Sequence, residues 1–86
     1  MRVWFSTHLR AYTGGAETEV DDASTVLAVV DELDRRHPGL KFRIVDEQEQ
    51  IREHIIMFRN AEQVRDLREP LGPGDRLRIM GALSGG

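Results

Sequence analysis

The residues best placed to do chemistry close the sequence, Gly81-Ala82-Leu83-Ser84-Gly85-Gly86. Every side chain in that run is small or apolar, and no charged residue ends it. Two successive glycines make an arm without side chains, whose backbone can enter a narrow channel and carry an α-carboxylate to a reactive centre. A free α-carboxylate has a reference pKa of roughly 3.3 to 3.7 and is ionised near neutrality, so it is a poor electrophile until a phosphate-type leaving group is attached. The end of the chain therefore reads as a substrate that an ATP-using partner must activate. Taken alone, the glycine pair fits a tag or a frayed end equally well.

No other residue set offers a competing chemistry. His8, His37 and His54 share no metal-ligand spacing, and the acidic run Asp46-Glu47-Gln48-Glu49-Gln50 lacks the alternating ligands and central glycine of a calcium loop. Ser6, Ser24 and Ser84 lie outside any nucleophile-elbow context, and the glycine pairs match neither a phosphate-binding loop nor a dinucleotide fingerprint. With no cysteine, the chain has no disulfide scaffold, thiolate metal site or cysteine nucleophile. It is expected to bind no cofactor or metal, and not to be an enzyme.

The elements that must present the arm follow from periodicity. Arg2 to Ser6 is a strand with Val3 and Phe5 on one face and Trp4 on the other. A flexible loop holding Thr13-Gly14-Gly15 leads to a second alternating segment, Glu17 to Asp21, which completes a hairpin. Ser24 is placed to cap a helix that starts at Thr25 and aligns Val26, Val29, Val30 and Leu33. Asp31 with Arg35 and Glu32 with Arg36 are acid-before-base pairs, and Pro38-Gly39 ends the helix. Leu40 to Val45 is a moderately apolar stretch without an assigned element. Glu53 to Arg59 is a strand, Asn60-Ala61 a turn, Val64 to Leu67 a short segment, and Pro70 to Asp75 a dense turn signal before the last strand, Arg76 to Met80.

Eighty-six residues make one domain, because a chain this short buries only around 60% of the surface that it exposes when unfolded. A composition 40% apolar and 31% charged is globular. Twelve Lys and Arg against fifteen Asp and Glu, a net charge of -3, argue against a nucleic-acid partner. No signal-peptide or bilayer-spanning run is present, so no membrane partner is expected and the expected address is the cytoplasm. The element order gives an α+β fold, a mixed sheet covered on one face by a single main helix. One helix covers one face, yet Ile55-Ile56-Met57-Phe58 is apolar at both parities, and Trp4 and Met80 oppose Val3, Phe5, Leu77 and Ile79. Trp4, Ile56, Phe58 and Met80 are thus candidates for a partner-docking surface; the alternative is local packing beneath a loop.

The strand-strand-helix-strand-strand order, Pro70-Leu71, Gly72-Pro73-Gly74-Asp75, the strand Arg76 to Met80 and the ending Ala82-Leu83-Ser84-Gly85-Gly86 together resemble the ubiquitin-like β-grasp sulfur carriers. That group includes the small subunit of molybdopterin synthase, the thiazole-synthesis carrier and the carriers of a cysteine-synthesis pathway. The resemblance spans residues 1–86 as one domain with 81–86 as a flexible arm. It leans to the cysteine-pathway carriers at Leu9 to Gly15 and Ile55 to Val64. Asn60-Ala61 stands where many members have a glycine or acidic residue after Asn, and Gly81 where they often carry proline.

The resemblance implies that an E1-like enzyme adenylates the Gly86 carboxylate with ATP, after which it becomes a thiocarboxylate. Gly85 would let the arm thread into partner sites, and Ala82, Leu83 and Ser84 would lie extended in the groove. The implied acceptor is a cysteine synthase, with the large subunit of molybdopterin synthase as the alternative and a JAMM-type metalloprotease as a further partner. Two other classes stay open: a ubiquitin-like modifier joined to other proteins through Gly86, and a passive interaction domain with a frayed tail.

Overall fold

The computed structural model describes residues 1–81. Its elements run β1 (Arg2–Phe5), α1 (Thr7–Thr13), β2 (Glu17–Glu19), α2 (Val26–Arg36), α3 (Leu40–Ile44), β3 (Ile55–Arg59), β4 (Glu62–Val64) and β5 (Arg76–Gly81). The strands form one mixed sheet in the order β2-β1-β5-β3-β4. β1 and β5 pair in parallel, with Val3 opposite Leu77 and Phe5 opposite Ile79; the other three pairings are antiparallel. Parallel neighbours require a long crossover, and here the segment between β1 and β5, with α2 packed on the sheet, supplies it. Val3, Phe5, Ile55, Met57, Val64, Leu77 and Ile79 face a core completed by Val26, Val29, Val30 and Leu33 of α2 and by Leu40 and Ile44 of α3.

α2 forms where the valine and leucine spacing places it, although three of its four buried residues are β-branched and have modest helix propensity. Tertiary burial of that stripe holds it. Its cap is Thr25, one residue beyond the expected Ser24: Thr25 is extended, and its Oγ1 accepts from the Ala28 N–H at 3.1 Å. The Val26 and Leu27 N–H groups donate to Glu69 O and Leu67 O, so the loop before β5 satisfies the rest of the first turn. Ser24 instead offers its carbonyl to the Leu71 N–H.

Of the two i,i+4 pairs expected on α2, Glu32 with Arg36 forms and Asp31 with Arg35 does not. Glu32 receives both Arg35 (2.6 Å) and Arg36 (2.8 Å), while Asp31 pairs with Lys41 of α3 at 2.7 Å. The Arg35 hydrogen bonds, followed by those of Arg36, hold the Glu32 carboxyl down to about 2. Asp34 Oδ1 accepts from the Gly39 and Lys41 N–H groups, tying the end of α2 to the start of α3, with Gly39 at φ 98° making the corner.

Two short helices replace segments read from sequence as a loop and an unassigned stretch. Thr7–Thr13 is helical, buries Leu9 and ends at Gly14, whose φ of 75° and N–H to Arg10 O form a left-handed terminus. Seven residues with a single buried side chain show no periodicity to read, so the β1–β2 connection looked like loop. Leu40–Ile44 buries its i and i+4 residues and leaves Phe42 62% exposed. Strand limits shift as well. β3 begins at Ile55, because Glu53 and His54 occupy a turn, and the segment before Leu67 is strand only over Glu62–Val64. Gly81, expected in the arm, is the last residue of β5 and pairs with Ile55.

The β3–β4 turn is bolted to the start of β5. Asn60 adopts φ 56°, donates its backbone N–H to Arg76 O and accepts from the Arg76 N–H at its side-chain oxygen. Its amide donates to Asp75 at 2.9 Å, and Asp75 also accepts from the Gly72 N–H at 2.8 Å. The Gly72 N–H first, then the Asn60 amide and the Arg59 charge lower the Asp75 pKa from its usual 3.8.

Two outcomes follow from these contacts. Thr25→Ala is expected to lower stability by about 1 kcal/mol in urea unfolding, the usual loss for a missing N-cap. A depressed carboxylate stabilises the fold above its unfolded pKa and loses that contribution as pH falls through the folded value. The ¹³C carboxyl resonance of Asp75 should therefore titrate below 3.8, and Asp75→Asn should lessen the decline in stability on acidification; titration at the ordinary value contradicts both.

Candidate functional site

The strict alternation of β5 divides the sheet into two unlike faces. Leu77 and Ile79 point into the core, while Arg76, Arg78 and Met80 point away from α2. Strand register then assembles the outer face. Arg78 lies opposite Trp4 of β1 on one side and Phe58 of β3 on the other, Met80 lies opposite Ile56, and Glu17 of β2 lies opposite Trp4. The four apolar residues expected on a docking surface thus share one sheet face. Ile56 is 37% exposed, whereas Trp4, Phe58 and Met80 are partly covered.

Arginine lies over two of them, Trp4 and Phe58, a feature absent from the sequence reading. The Arg78 guanidinium lies 5.4 Å from the Phe58 ring centroid, and that of Arg10, on α1, lies 5.4 Å from the Trp4 ring. Arg10 is held there by donating Nε–H to Phe5 O at 3.0 Å. Both contacts are within cation–π range, and both leave the charge at the surface. Arg2 pairs with Glu17 and Glu19, whereas Arg76 and Arg78 make no ion pair among the described residues. The face therefore sets the β5 arginines among its apolar residues, with Glu17 and Glu19 at its β2 edge, in a chain of net charge -3. An open hollow of about 600 Å³ lies over it, lined by Arg2, Trp4, Glu17, Arg76, Arg78 and Met80. The signal for these arginines was present, since Arg76 and Arg78 share the parity of Met80 in the alternating strand.

Met80 also connects this face to the arm, because Gly81 follows it at the end of the central strand. Ala82, Leu83, Ser84, Gly85 and Gly86, the residues expected to form the arm and carry the reactive carboxylate, lie outside the described residues. Among the described residues no three His, Asp or Glu side chains gather at metal-binding distance, and no helix is long and apolar enough to cross a membrane.

A family model described as the ThiS family matches residues 3–86, the two final glycines included. The chain belongs to the ThiS family. Its members are small ubiquitin-like β-grasp sulfur carriers and modifiers rather than catalysts, and the sheet described above has that α+β fold. Solved structures agree along nearly the whole chain. One is the Amycolatopsis orientalis BexX/CysO complex, at 36% identity and a TM-score of 0.88, covering 99% of this chain and 98% of that one. Mycobacterium tuberculosis CysO is 25% identical, with a TM-score of 0.86 and coverage of 95% and 98%. SAMP1 from Haloferax volcanii is 29% identical, with a TM-score of 0.78 and coverage of 99% and 97%. Among curated proteins no relative is matched.

The two-faced sheet makes neighbouring residues of β3 respond differently. Met57 is fully buried, and Met57→Ala is expected to cost about 2–5 kcal/mol in chemical denaturation. Ile56→Ser, on the outer face, should stay within about 1 kcal/mol of the parent. Equal losses would mean that the outer face is packed as core.

Proposed function

We propose that this ThiS-family chain is a sulfur carrier for cysteine synthesis, loaded at the Gly86 carboxylate. The observation that carries the reading is the full-length family match through Gly85-Gly86, together with 36% identity to a chain of the BexX/CysO complex. A carboxylate oxygen of Gly86 attacks the α-phosphorus of ATP in the site of an E1-like enzyme, and pyrophosphate leaves. Hydrosulfide-level sulfur then attacks the acyl carbon, a C–S bond forms, and AMP departs as the better leaving group. The resulting thiocarboxylate is a sulfur nucleophile that, on a cysteine synthase, forms a C–S bond at the β-carbon of an activated serine derivative as the activated oxygen group leaves. The carrier regains its carboxylate when the acylated product is hydrolysed. It acts throughout as a protein cosubstrate, in the cytoplasm, and binds neither ATP nor any other cofactor itself.

Recognition falls to the outer sheet face. Aromatic residues, methionine and arginine at an apolar centre are the composition of interface cores, and Trp4, Ile56, Phe58 and Met80 with Arg76 and Arg78 supply it. Gly85 adds no side chain, so the arm fits a channel narrower than other residues allow.

A second reading is favoured by the 29% identity to SAMP1, which is named a small archaeal modifier protein. There the same acyl adenylate is captured by a lysine amine and an isopeptide bond forms. Intact-mass measurement of chain isolated from its own cells separates the two. Exchange of one C-terminal oxygen for sulfur is expected for the carrier, covalent adducts to other proteins for the modifier. Deleting Gly86 should abolish sulfur transfer and leave the unfolding midpoint unchanged; retained transfer would overturn the assignment of Gly86.

A further inference from the structure

Ser6 occupies the N-cap position of α1 with extended dihedrals of φ -70° and ψ 166°, yet its hydroxyl makes no bond to its own helix. Serine at such a position ordinarily accepts from an N–H of the first turn. Here the backbone carbonyl of Ser6 receives the Leu9 and Arg10 N–H groups, while Ser6 Oγ accepts from the Gly81 N–H at 2.9 Å, seventy-five residues away. The Ser6 backbone N–H meanwhile donates to Ile79 O at 3.1 Å.

These two bonds continue the β1–β5 ladder after β1 has ended. β1 pairs with β5 as far as Phe5 opposite Ile79, and the chain then turns into α1. The next inward-pointing donor of β5 on that side is the Gly81 N–H, and no β1 backbone is left to receive it. The Ser6 side chain takes the place of the missing carbonyl. Gly81 is thereby held by Ser6 on its β1 side, while on the other side it lies in register with Ile55, whose own N–H donates to Arg52 O.

We propose that Ser6 is a positioning residue for the reactive arm: its hydroxyl, through the Gly81 N–H, fixes the root from which residues 82–86 are presented to the activating enzyme. The proposal rests on the sulfur-carrier reading. It assigns Ser6 a role separate from docking, since the outer face formed by Trp4, Ile56, Phe58 and Met80 does not use it. A fixed root sets the point from which the carboxylate is offered to a partner's site.

The test pairs two readouts on Ser6→Ala, Ser6→Thr, Gly81→Pro and Gly81→Ala. Gly81→Pro removes the donor. Gly81→Ala retains it, and its added Cβ meets only ordinary contacts at 3.6 to 3.9 Å with His8, Ile55 and Leu9. In Ser6→Ala the Gly81 amide should exchange with solvent about tenfold faster, a change equivalent to one hydrogen bond, while the Leu77 and Ile79 amides keep their protection. With an E1-like enzyme that accepts the parent chain, ATP–pyrophosphate exchange should show kcat reduced about tenfold and KM for the carrier unchanged in Ser6→Ala and Gly81→Pro. Ser6→Thr and Gly81→Ala should restore both. Unchanged Gly81 exchange, or lost protection with undiminished kcat, overturns the role of Ser6 and leaves the carrier reading standing. A parent chain that no such enzyme activates, while the Gly81 amide behaves as expected, overturns the carrier reading and the positioning role with it.

Discussion

The rest of the structure depends on β5 lying between β1 and β3. This strand pairs in parallel with the first strand and antiparallel with β3, so it is buried on both edges and its alternation sets the character of both sheet faces. Leu77 and Ile79 meet the valine stripe of α2, while Arg76, Arg78 and Met80 are turned outward by the same two-residue period. A central strand of this kind is a rigid base, and it ends one residue before the segment to which we assign the chemistry.

Around that strand, loops are tied to elements far away in sequence. The segment before β5 gives Leu67 O and Glu69 O to the first turn of α2, and Asn60 and Asp75 lock the β3–β4 turn to the entry of β5. Asp34 reaches from α2 to the start of α3. Apart from the side-chain bond between Asn60 and Asp75, these contacts satisfy backbone groups that would otherwise be left at element ends. In a domain this small, with a core of modest size, such cross-ties confer much of the uniqueness of the fold.

The outer face shows how a protein with a net negative charge presents a cationic apolar surface. Arginine stems and guanidinium planes lie over Trp4 and Phe58, which limits bare apolar area in the free protein while keeping charge at the surface. Acidic groups on a partner can replace solvent at the Arg76 and Arg78 guanidinium groups, which make no ion pair among the described residues. The arm root and this face share β5, so recognition and presentation are linked by one strand.

Much of this was legible in the residues themselves. Two-residue alternation in Arg2–Phe5 and Arg76–Met80 and the stripe Val26, Val29, Val30, Leu33 are periodic signals long enough to specify element type and buried face. The separation of Trp4, Ile56, Phe58 and Met80 from the core was readable from the same parity, as was the left-handed turn at Asn60. Short or non-local features were not legible. α1 and α3 span seven and five residues, less than is needed for a periodic pattern to emerge. The exchange of Asp31 from Arg35 to Lys41, the stacking of Arg10 and Arg78, and the reach of Ser6 to Gly81 all join groups that sequence spacing does not bring together. Sequence alone determined which residues are apolar at which period, and hence the faces. Only the tertiary structure decided which polar group each donor finds, because hydrogen bonds and ion pairs depend on distances that exist only once the strands have paired.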